Sequence, residues 1–592
     1  MSNIKITPLG GVREFGKNMY LVEVEEQIFV LDAGLKYAEM DQLGVDFVIP
    51  DITYLLENAD RVAGIFLTHG HADSIGALPY IVSELKVPVF GSELTIELAK
   101  INVKNYADSR KFNDFHVVTE DTEIDFGKAV ISFFSTTHTI PESLGIVIST
   151  NDGNIVYTGD FRFDPAVAKG YRTNMRRLAE IGNSGVLALL SSSPNALSTM
   201  QSASEHEIYE KIYDYIDDNE GRVIIACNAG NLGRIQQTID AAIKLGRRVA
   251  FTGEDMDQII ETATRLNKLQ IVDKKSIIKP AEIKKYADNE LVILETGRMG
   301  EPLKSLGDMA HRRHKYVKIK DGDLVLAVTS PSVSYETTIA RIENEIYKAG
   351  GVMKMLASDL KISGHANARD LQFLLDIFRP KNLIPIQGEY RELSAHADLA
   401  MEMDILPEHI FIAKRGETVS LENGDMIPSG VIQAENVMID GSGVGDIGSV
   451  VLRDRKVLSE DGIFIAVITI SKTERKIVSK SRVHTRGFVY VKTSRDLMRE
   501  AGELVNETVD KYLSGKEFDW AEIKGSIRDA LGKFLYEQTK RKPVILPVVM
   551  EARQPQDLNK RYTKKIIIKN KSYKASIFSY RKLGGFLCLK NQ

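Results

Sequence analysis

Residues Thr68-His69-Gly70-His71-Ala72-Asp73 place two imidazoles two positions apart and a carboxylate two further on, directly after the apolar run Ile65-Phe66-Leu67. Imidazoles and a carboxylate on one loop suit Zn²⁺ or Mn²⁺. Two histidines alone are a weak signal, because a surface histidine is commonly only hydrogen-bonded. Here the motif has company. Thr137-His138 ends the apolar stretch 130–135, and Thr158-Gly159-Asp160 ends the stretch 155–157. Upstream, Val30-Leu31-Asp32-Ala33-Gly34 puts a further carboxylate at a strand end. The ordered set makes His69, His71, Asp73, His138 and Asp160 the candidate ligands of a metal centre.

These residues need strands to present them. Residues 1–190 read as short β-branched strands at 27–32, 64–68, 87–90, 130–134, 144–149, 155–158 and 186–190. Ile75, Leu78, Val82 and Leu85 sit at helical spacing between two of them. The pattern is α/β, with chemistry at strand ends. From 204 to 355 longer helix–strand units follow, predicting an independent α/β domain. Residues 356–430 return to short strands around one helix at 366–378. The glycine-rich stretch 431–448 reads as a linker before a small α+β domain at 449–553, with strands at 449–458, 463–471 and 544–550 and helices at 494–514 and 519–541. A basic tail at 554–592 completes the chain. The linker contains Gly443-Val444-Gly445-Asp446-Ile447-Gly448, which resembles a dinucleotide fingerprint but opens a predicted strand rather than a helix.

Composition narrows the class. At 592 residues the chain exceeds one core, and with 43% hydrophobic and 27% charged residues it is a globular protein rather than a disordered or collagen-like one. No apolar run is long enough for a membrane span, and residues 1–8 hold no apolar leader core, so a cytoplasmic protein is expected. Two distant cysteines, Cys227 and Cys588, exclude a disulfide framework and a cysteine-ligated zinc. The net charge of −4 conceals an acidic body, because residues 560–592 hold only basic charges. A basic tail reads first as a solvated extension. His311-Arg312-Arg313-His314 likewise reads as a solvated face rather than an RNA path.

The motifs LDAG, THGHAD, THT and TGDF, in that order, resemble the metallo-β-lactamase fold. The later ISGHA (362–366) and PIQGEY (385–390) resemble the β-CASP nucleases of that superfamily. LGGVREFGKNMY (9–20), the segment 34–55, LRDRKVLSEDGI (452–463) and RKPVILPVVME (541–551) are similar to the ribonuclease J family, and within it to the degenerate second paralogue of bacteria that carry two. The resemblance covers about residues 3–551. It implies an αββα metallo-β-lactamase sandwich in two parts (1–203 and 356–430), an inserted β-CASP α/β domain (204–355), the linker 431–448 and a small α+β C-terminal domain (449–553). It implies a 5′–3′ exoribonuclease, also cutting internally, in mRNA decay and rRNA maturation, assembled as a homodimer or with an active paralogue, in the company of other RNA-decay proteins and without a membrane.

The resemblance also assigns roles. One zinc is held by His69, His71 and His138 with Asp160, and a second ion, Zn²⁺ or more weakly Mn²⁺ or Mg²⁺, by Asp73 and Asp160. Asp160 and His365 carry catalytic roles. Lys361, Ile362, Ser363, Gly364 and His365, together with Ala229, Gly230 and Asn231, contact RNA. The backbone amides at the start of the helix expected at 366–378 favour a phosphate. The sequence departs from the family at Ser74 and Gln387, where metal-binding histidines stand, and at Ser192, where an aspartate is usual. Gly233 and Lys361 replace histidines, Arg13 replaces a glycine, and the loop 296–302 is changed. The expected outcome is an eroded two-metal centre with attenuated activity. The alternative is a non-catalytic RNA-binding scaffold for an active sister chain.

Overall fold

The computed structural model describes residues 2–39, 42–168, 170–253, 256–296, 302–328, 336–441, 443–515 and 518–552. The basic tail and most of the changed loop at 296–302 therefore lie outside the described residues. The described residues separate into two compact units, the first ending at Gly448 and the second beginning at Ser449.

The first unit is built on two facing sheets. One runs, in spatial order, Asp425–Val431, Glu417–Glu422, Ile4–Gly10, Met19–Val24, Gln27–Leu31, Val62–Phe66, Val89–Gly91 and Phe115–Val117. The other runs Asn382–Ile386, Val186–Ser192, Gly153–Tyr157, Leu144–Thr150, Val130–Ser135 and Glu123–Asp125. Alternation along each strand gives each sheet two apolar faces. The inner faces meet in one core, where Ile6, Tyr20, Phe29 and Phe66 pack with Phe133, Ile146, Tyr157 and Leu190. The outer face of the second sheet is covered by the helices Met175–Asn183, Ala368–Phe378 and Tyr390–Glu402, through residues such as Leu178, Leu371, Leu375 and Ala400. Leu21, Val30 and Ile65 on the outer face of the first sheet pack with Leu78, Ile81 and Leu94 from its own helices. The layers are helix, sheet, sheet, helix.

Between Val186–Ser192 and Asn382–Ile386 the chain leaves to form a third sheet and then returns to pair those two strands in parallel. That third sheet has six parallel strands in the order Ile277–Ile278, Arg248–Phe251, Leu291–Glu295, Val223–Ala226, Leu324–Ala327 and Val352–Met355. Parallel strands need crossovers, here supplied by helices such as Glu205–Asp217 and Leu232–Lys244. The second unit is a sheet of Lys476–Arg486, Ile463–Ser471 and Val544–Glu551 with the helices Arg495–Leu513 and Trp520–Thr539 packed on one face.

Several elements differ from expectation, each for a local reason. The helix expected across residues 75–85 is two, Ala72–Ile75 and Leu78–Glu84, because Pro79 lacks an N–H and starts a new first turn. Stretch 431–448 is more than a linker. Asn436–Asp440 pairs with both Phe47–Pro50 and Gly443–Val444, weaving it into a four-stranded sheet. Residues 449–458 form part of the helix Ser449–Asp461, not a strand. Arg453, Asp454, Arg455 and Lys456 in a row give a strand no apolar face, and the helix has no buried residue. The fingerprint-like glycines thus do precede a helix, but their strand pairs antiparallel, so no parallel β–α–β unit surrounds them. The helix Tyr390–Glu402 was unforeseen, although Leu393, His396, Ala397 and Ala400 keep helical spacing on its buried face.

Candidate metal centre

Two strand ends of the sandwich deliver three imidazoles to one point. His69 and His71 follow Val62–Phe66, and His138 follows Val130–Ser135. Their ring centroids lie 4.7 to 4.9 Å apart with planes turned by 71 to 83°. One nitrogen from each lies within 4.8 Å of the others.

The hydrogen bonds at the far side of each ring fix which nitrogen is bare. His138 Nδ1 donates to the Gly364 carbonyl at 2.9 Å, and His71 Nε2 donates to the Gly230 carbonyl at 3.3 Å. Carbonyls only accept, so the protons sit on those nitrogens and the lone pairs of His138 Nε2 and His71 Nδ1 face one another at 3.1 Å. His69 Nδ1 meets the Thr68 hydroxyl at 2.9 Å, which itself donates to Asp32, and leaves His69 Nε2 buried with no hydrogen-bond partner. Three inward lone pairs repel unless a cation lies among them. Two nitrogens held by one Zn²⁺ at about 2.0–2.1 Å in tetrahedral geometry stand about 3.3 Å apart, close to the observed 3.1 Å. The residues fit the ion.

Electrostatics keep these rings neutral and ready to bind. Burial lowers His69 to about 3 and His71 to about 4, and holds His138 well below its ordinary value. Neutral imidazole is the metal-binding form. A second group, His69, Asp73 and Asp160, also lies within 4.8 Å. His69 Nε2 is 3.9 Å from Asp73 Oδ1 and 3.7 Å from Asp160 Oδ2. Burial, then Asp160, raises Asp73 to about 7. Burial opposes ionisation of Asp160, but His365, His138 and His69 outweigh it and hold the carboxyl well below the usual range. His365 Nδ1 stands 3.3 Å from Asp160 Oδ1.

The remaining sequence candidates divide. Ile362, Ser363, Gly364 and His365, with Ala229, Gly230 and Asn231, line a single cavity of about 740 Å³ that also contains His71, Asp73, His138 and Asp160. Lys361 is exposed and outside that lining. Asp32 does not face the cavity. It is fully buried behind His69, bonded to Thr68 and to the Tyr157 hydroxyl at 2.6 Å. Ser74 is buried with its hydroxyl 3.4 Å from Asp32, and Gln387, in the left-handed region at φ 54, has both side-chain polar atoms buried without partners. Ser192 donates to Asp160 Oδ1 at 3.0 Å, a neutral group beside that carboxylate.

One expectation is corrected. The helix begins at Ala368, not 366, and its leading amides are already occupied. Ala368 N–H donates to Ser198, while Arg369 and Asp370 N–H donate to the Asn367 side chain. His365 N–H donates to the Ser363 hydroxyl at 3.1 Å. The loop, rather than a free helix terminus, faces the cavity. His311 and Arg313 pair with Glu345 and Asp308 outside it. Sequence reasoning missed Thr68 as the orienting group of His69, and missed Arg162, Glu205 and Arg234 altogether. Only the adjacency of Thr68 to the motif gave any signal.

Comparison with known proteins agrees with this geometry. Residues 12–198 match the metallo-beta-lactamase superfamily, and 220–346 match the ribonuclease J beta-CASP domain. Residues 352–413 match the Zn-dependent metallo-hydrolase RNA specificity domain, and 450–552 match the ribonuclease J C-terminal domain. The histidine and aspartate groups and these family matches together support metal binding. A solved protein of unknown function from Enterococcus faecalis V583 shares the fold at TM-score 0.50, with 15% identity, covering 71% of this chain and 100% of its own. Ribonuclease J 2 of Staphylococcus aureus (strain NCTC 8325 / PS 47) is 43% identical over 549 residues, 93% of this chain and 98% of its own. Ribonuclease J 2 of Streptococcus pyogenes serotype M3 (strain ATCC BAA-595 / MGAS315) is 59% identical over 553 residues, 93% of this chain and 100% of its own. Three inward-facing imidazoles on a metallo-β-lactamase sandwich, an inserted β-CASP sheet and identity at this level over nearly the full length place the chain in the ribonuclease J family, on the side of its second paralogue.

Proposed function

We propose that this chain is a metal-dependent RNA hydrolase of ribonuclease J type, acting on 5′ ends and internally in mRNA decay and rRNA maturation, with one intact metal site and attenuated activity. The observation that carries the reading is the trio of inward lone pairs from His69, His71 and His138, beside a second group that has lost two ligands. A bound Zn²⁺ supplies Lewis-acid polarisation of a phosphoryl oxygen and lowers the pKa of a water. The chain's own residues do the rest. Asp160, kept ionised, is the carboxylate that faces both groups, and His365 beside it directs its imidazole toward the phosphate of an RNA in the cavity. The loops at 362–365 and 229–231 form the walls that orient the strand.

Ser74 and Gln387 support attenuation. Neither a buried hydroxyl turned to Asp32 nor an amide replaces an imidazole, so the second position keeps two carboxylates, a set suited to weakly held Mn²⁺ or Mg²⁺. A clamp on both attacking and leaving oxygens needs two ions. The same two residues favour a second reading, in which the chain binds RNA and supports an active paralogue without cutting, as partner in a hetero-oligomer. The test is decay of a 5′-monophosphorylated RNA by the purified chain with Zn²⁺ or Mn²⁺, compared with His71→Ala. Decay that disappears in the variant supports hydrolysis. Equal background in both overturns it in favour of the scaffold.

A further inference from the structure

Two of the three imidazoles take their orientation from loops that belong to different parts of the fold. The Gly230 carbonyl, at the start of the helix Leu232–Lys244 in the inserted domain, fixes His71, and the Gly364 carbonyl fixes His138. Both approaches are close. A Cβ at Gly230 would stand 2.6 Å from His71 Cδ2, and one at Gly364 would stand 2.7 Å from Thr139 Cγ2 and 3.1 Å from His138 Cε1. A shift of either loop by a fraction of an ångström therefore changes where a lone pair points.

A buried ionic hub holds the two loops together. Arg162, two residues beyond Asp160, donates to the Ser363 carbonyl at 3.2 Å and the Ala203 carbonyl at 3.1 Å, and to Asp164 and Glu205 at 2.7 Å each. Glu205, in the first turn of the helix Glu205–Asp217, accepts from Arg162 on one oxygen and from Arg234 and Gln237 on the other. Arg234 lies in the first turn of the helix that Asn231 caps, and both arginines are 2% exposed. One carboxylate thus joins the loop at 363–365, the strand end that carries Asp160 and the loop at 229–231.

We infer that Glu205 is a positioning residue: through Arg162 and Arg234 it fixes the Gly364 and Gly230 carbonyls and so sets the metal affinity of His138 and His71 across the two parts of the fold. Removing its charge leaves the buried Arg234 guanidinium without a carboxylate, a strongly unfavourable state that movement of the loop toward water relieves. Groups that orient metal-bound histidines commonly change affinity roughly 10–100-fold when lost, and Glu205 acts one step further out. The expected loss is about tenfold.

The test is the zinc affinity of the full-length chain by competition with a chromogenic chelator, with melting temperatures of the metal-free and zinc-loaded forms. Glu205→Gln is expected to bind zinc about tenfold more weakly, whereas Glu97→Gln, which removes the surface pairing with Arg265 between the same two parts of the fold, leaves affinity unchanged. An ion pair with only a structural role lowers both melting temperatures equally and leaves zinc affinity within about twofold, and that result overturns the inference. If Glu205→Gln does not fold, Arg234→Lys keeps the charge and loses the planar fork. A several-fold weakening is expected there, and unchanged affinity overturns the inference equally. The inference rests on the metal reading of the three histidines. A wild-type chain that binds no zinc overturns that reading, whereas a wild type and variant that bind zinc equally overturn only the coupling.

Discussion

At the scale of single residues, the decisive fact is which nitrogen of each histidine is bare. In the proposed centre, loss of one of these nitrogens removes a ligand rather than an orienting group. His138→Ala is therefore expected to weaken zinc binding by more than the roughly 10–100-fold of an outer-shell change; equilibrium dialysis measures it, and near-normal stoichiometry would place the ion elsewhere. Placing histidines at the two positions tests the proposed erosion directly. Ser74→His with Gln387→His is expected to raise Mn²⁺-dependent RNA hydrolysis at least about tenfold, a gain of about 1.4 kcal/mol in transition-state stabilisation. No gain in kcat/KM would mean that the surroundings have drifted with the ligands. His396 lies outside this chemistry, fully buried against Ser193 at 2.9 Å, and burial lowers it to about 3. Its unfolded value is near 6.5, so between pH 6.5 and about 3 the unfolded chain binds a proton that the folded chain does not. The stability associated with its neutral burial is present above pH 6.5 and is lost as pH falls below that value. From pH 7 to pH 5 this amounts to about 2 kcal/mol. Denaturant unfolding at the two values should show a correspondingly smaller drop in His396→Gln, and equal drops would contradict the assignment.

At the scale of elements, the strand ends that carry chemistry were legible because their pattern is local. An apolar run followed by Thr-His or Gly-Asp announces both the strand and its exit. The errors were equally local. Gly76 and Pro79 divide one expected helix into two, and a charged run turns an expected strand into the helix Ser449–Asp461. The helix Ala368–Phe378 starts where Asn367 can bond Arg369 and Asp370 N–H, with Asp370 returning a bond to Asn367 N–H at 3.3 Å. Such a capping box is a stronger start signal than the glycine before it. Asn367→Ala is expected to cost about 1 kcal/mol of stability, read as a shift in the urea midpoint. A change below a few tenths would show that Ser198 and the neighbouring packing, not the cap, define this terminus.

At the scale of the whole molecule, the zinc-ligand candidates and the cavity lie within Met1–Gly448, which forms a compact unit by itself. A fragment ending at Gly448 is expected to bind zinc with the affinity of the full chain, measured by the same chelator competition. A loss of more than about tenfold, or 1.4 kcal/mol, would show that Ser449–Gln592 contributes to the centre. Among the described residues no helix is long and apolar enough to cross a membrane.

The identity and order of the candidate ligands were legible along the chain, because metal chemistry restricts residue types and strand exits restrict spacing, and both can be read a few positions at a time. The chain also holds Ser74, Ser192 and Gln387, the residues on which the proposed erosion rests. The folded chain was needed to show that Asp32 lies behind His69 rather than in the cavity, that the leading amides Ala368 to Asp370 are occupied, and that Glu205 joins two distant loops. Arg162, Glu205, Arg234 and Ser363 are separated by up to 201 residues, and nothing in their local spacing encodes that they meet. That encounter follows from the chain leaving the sandwich after Val186–Ser192 and returning at Asn382–Ile386 beside the same strand, a long-range pairing fixed by burial of both sheet faces.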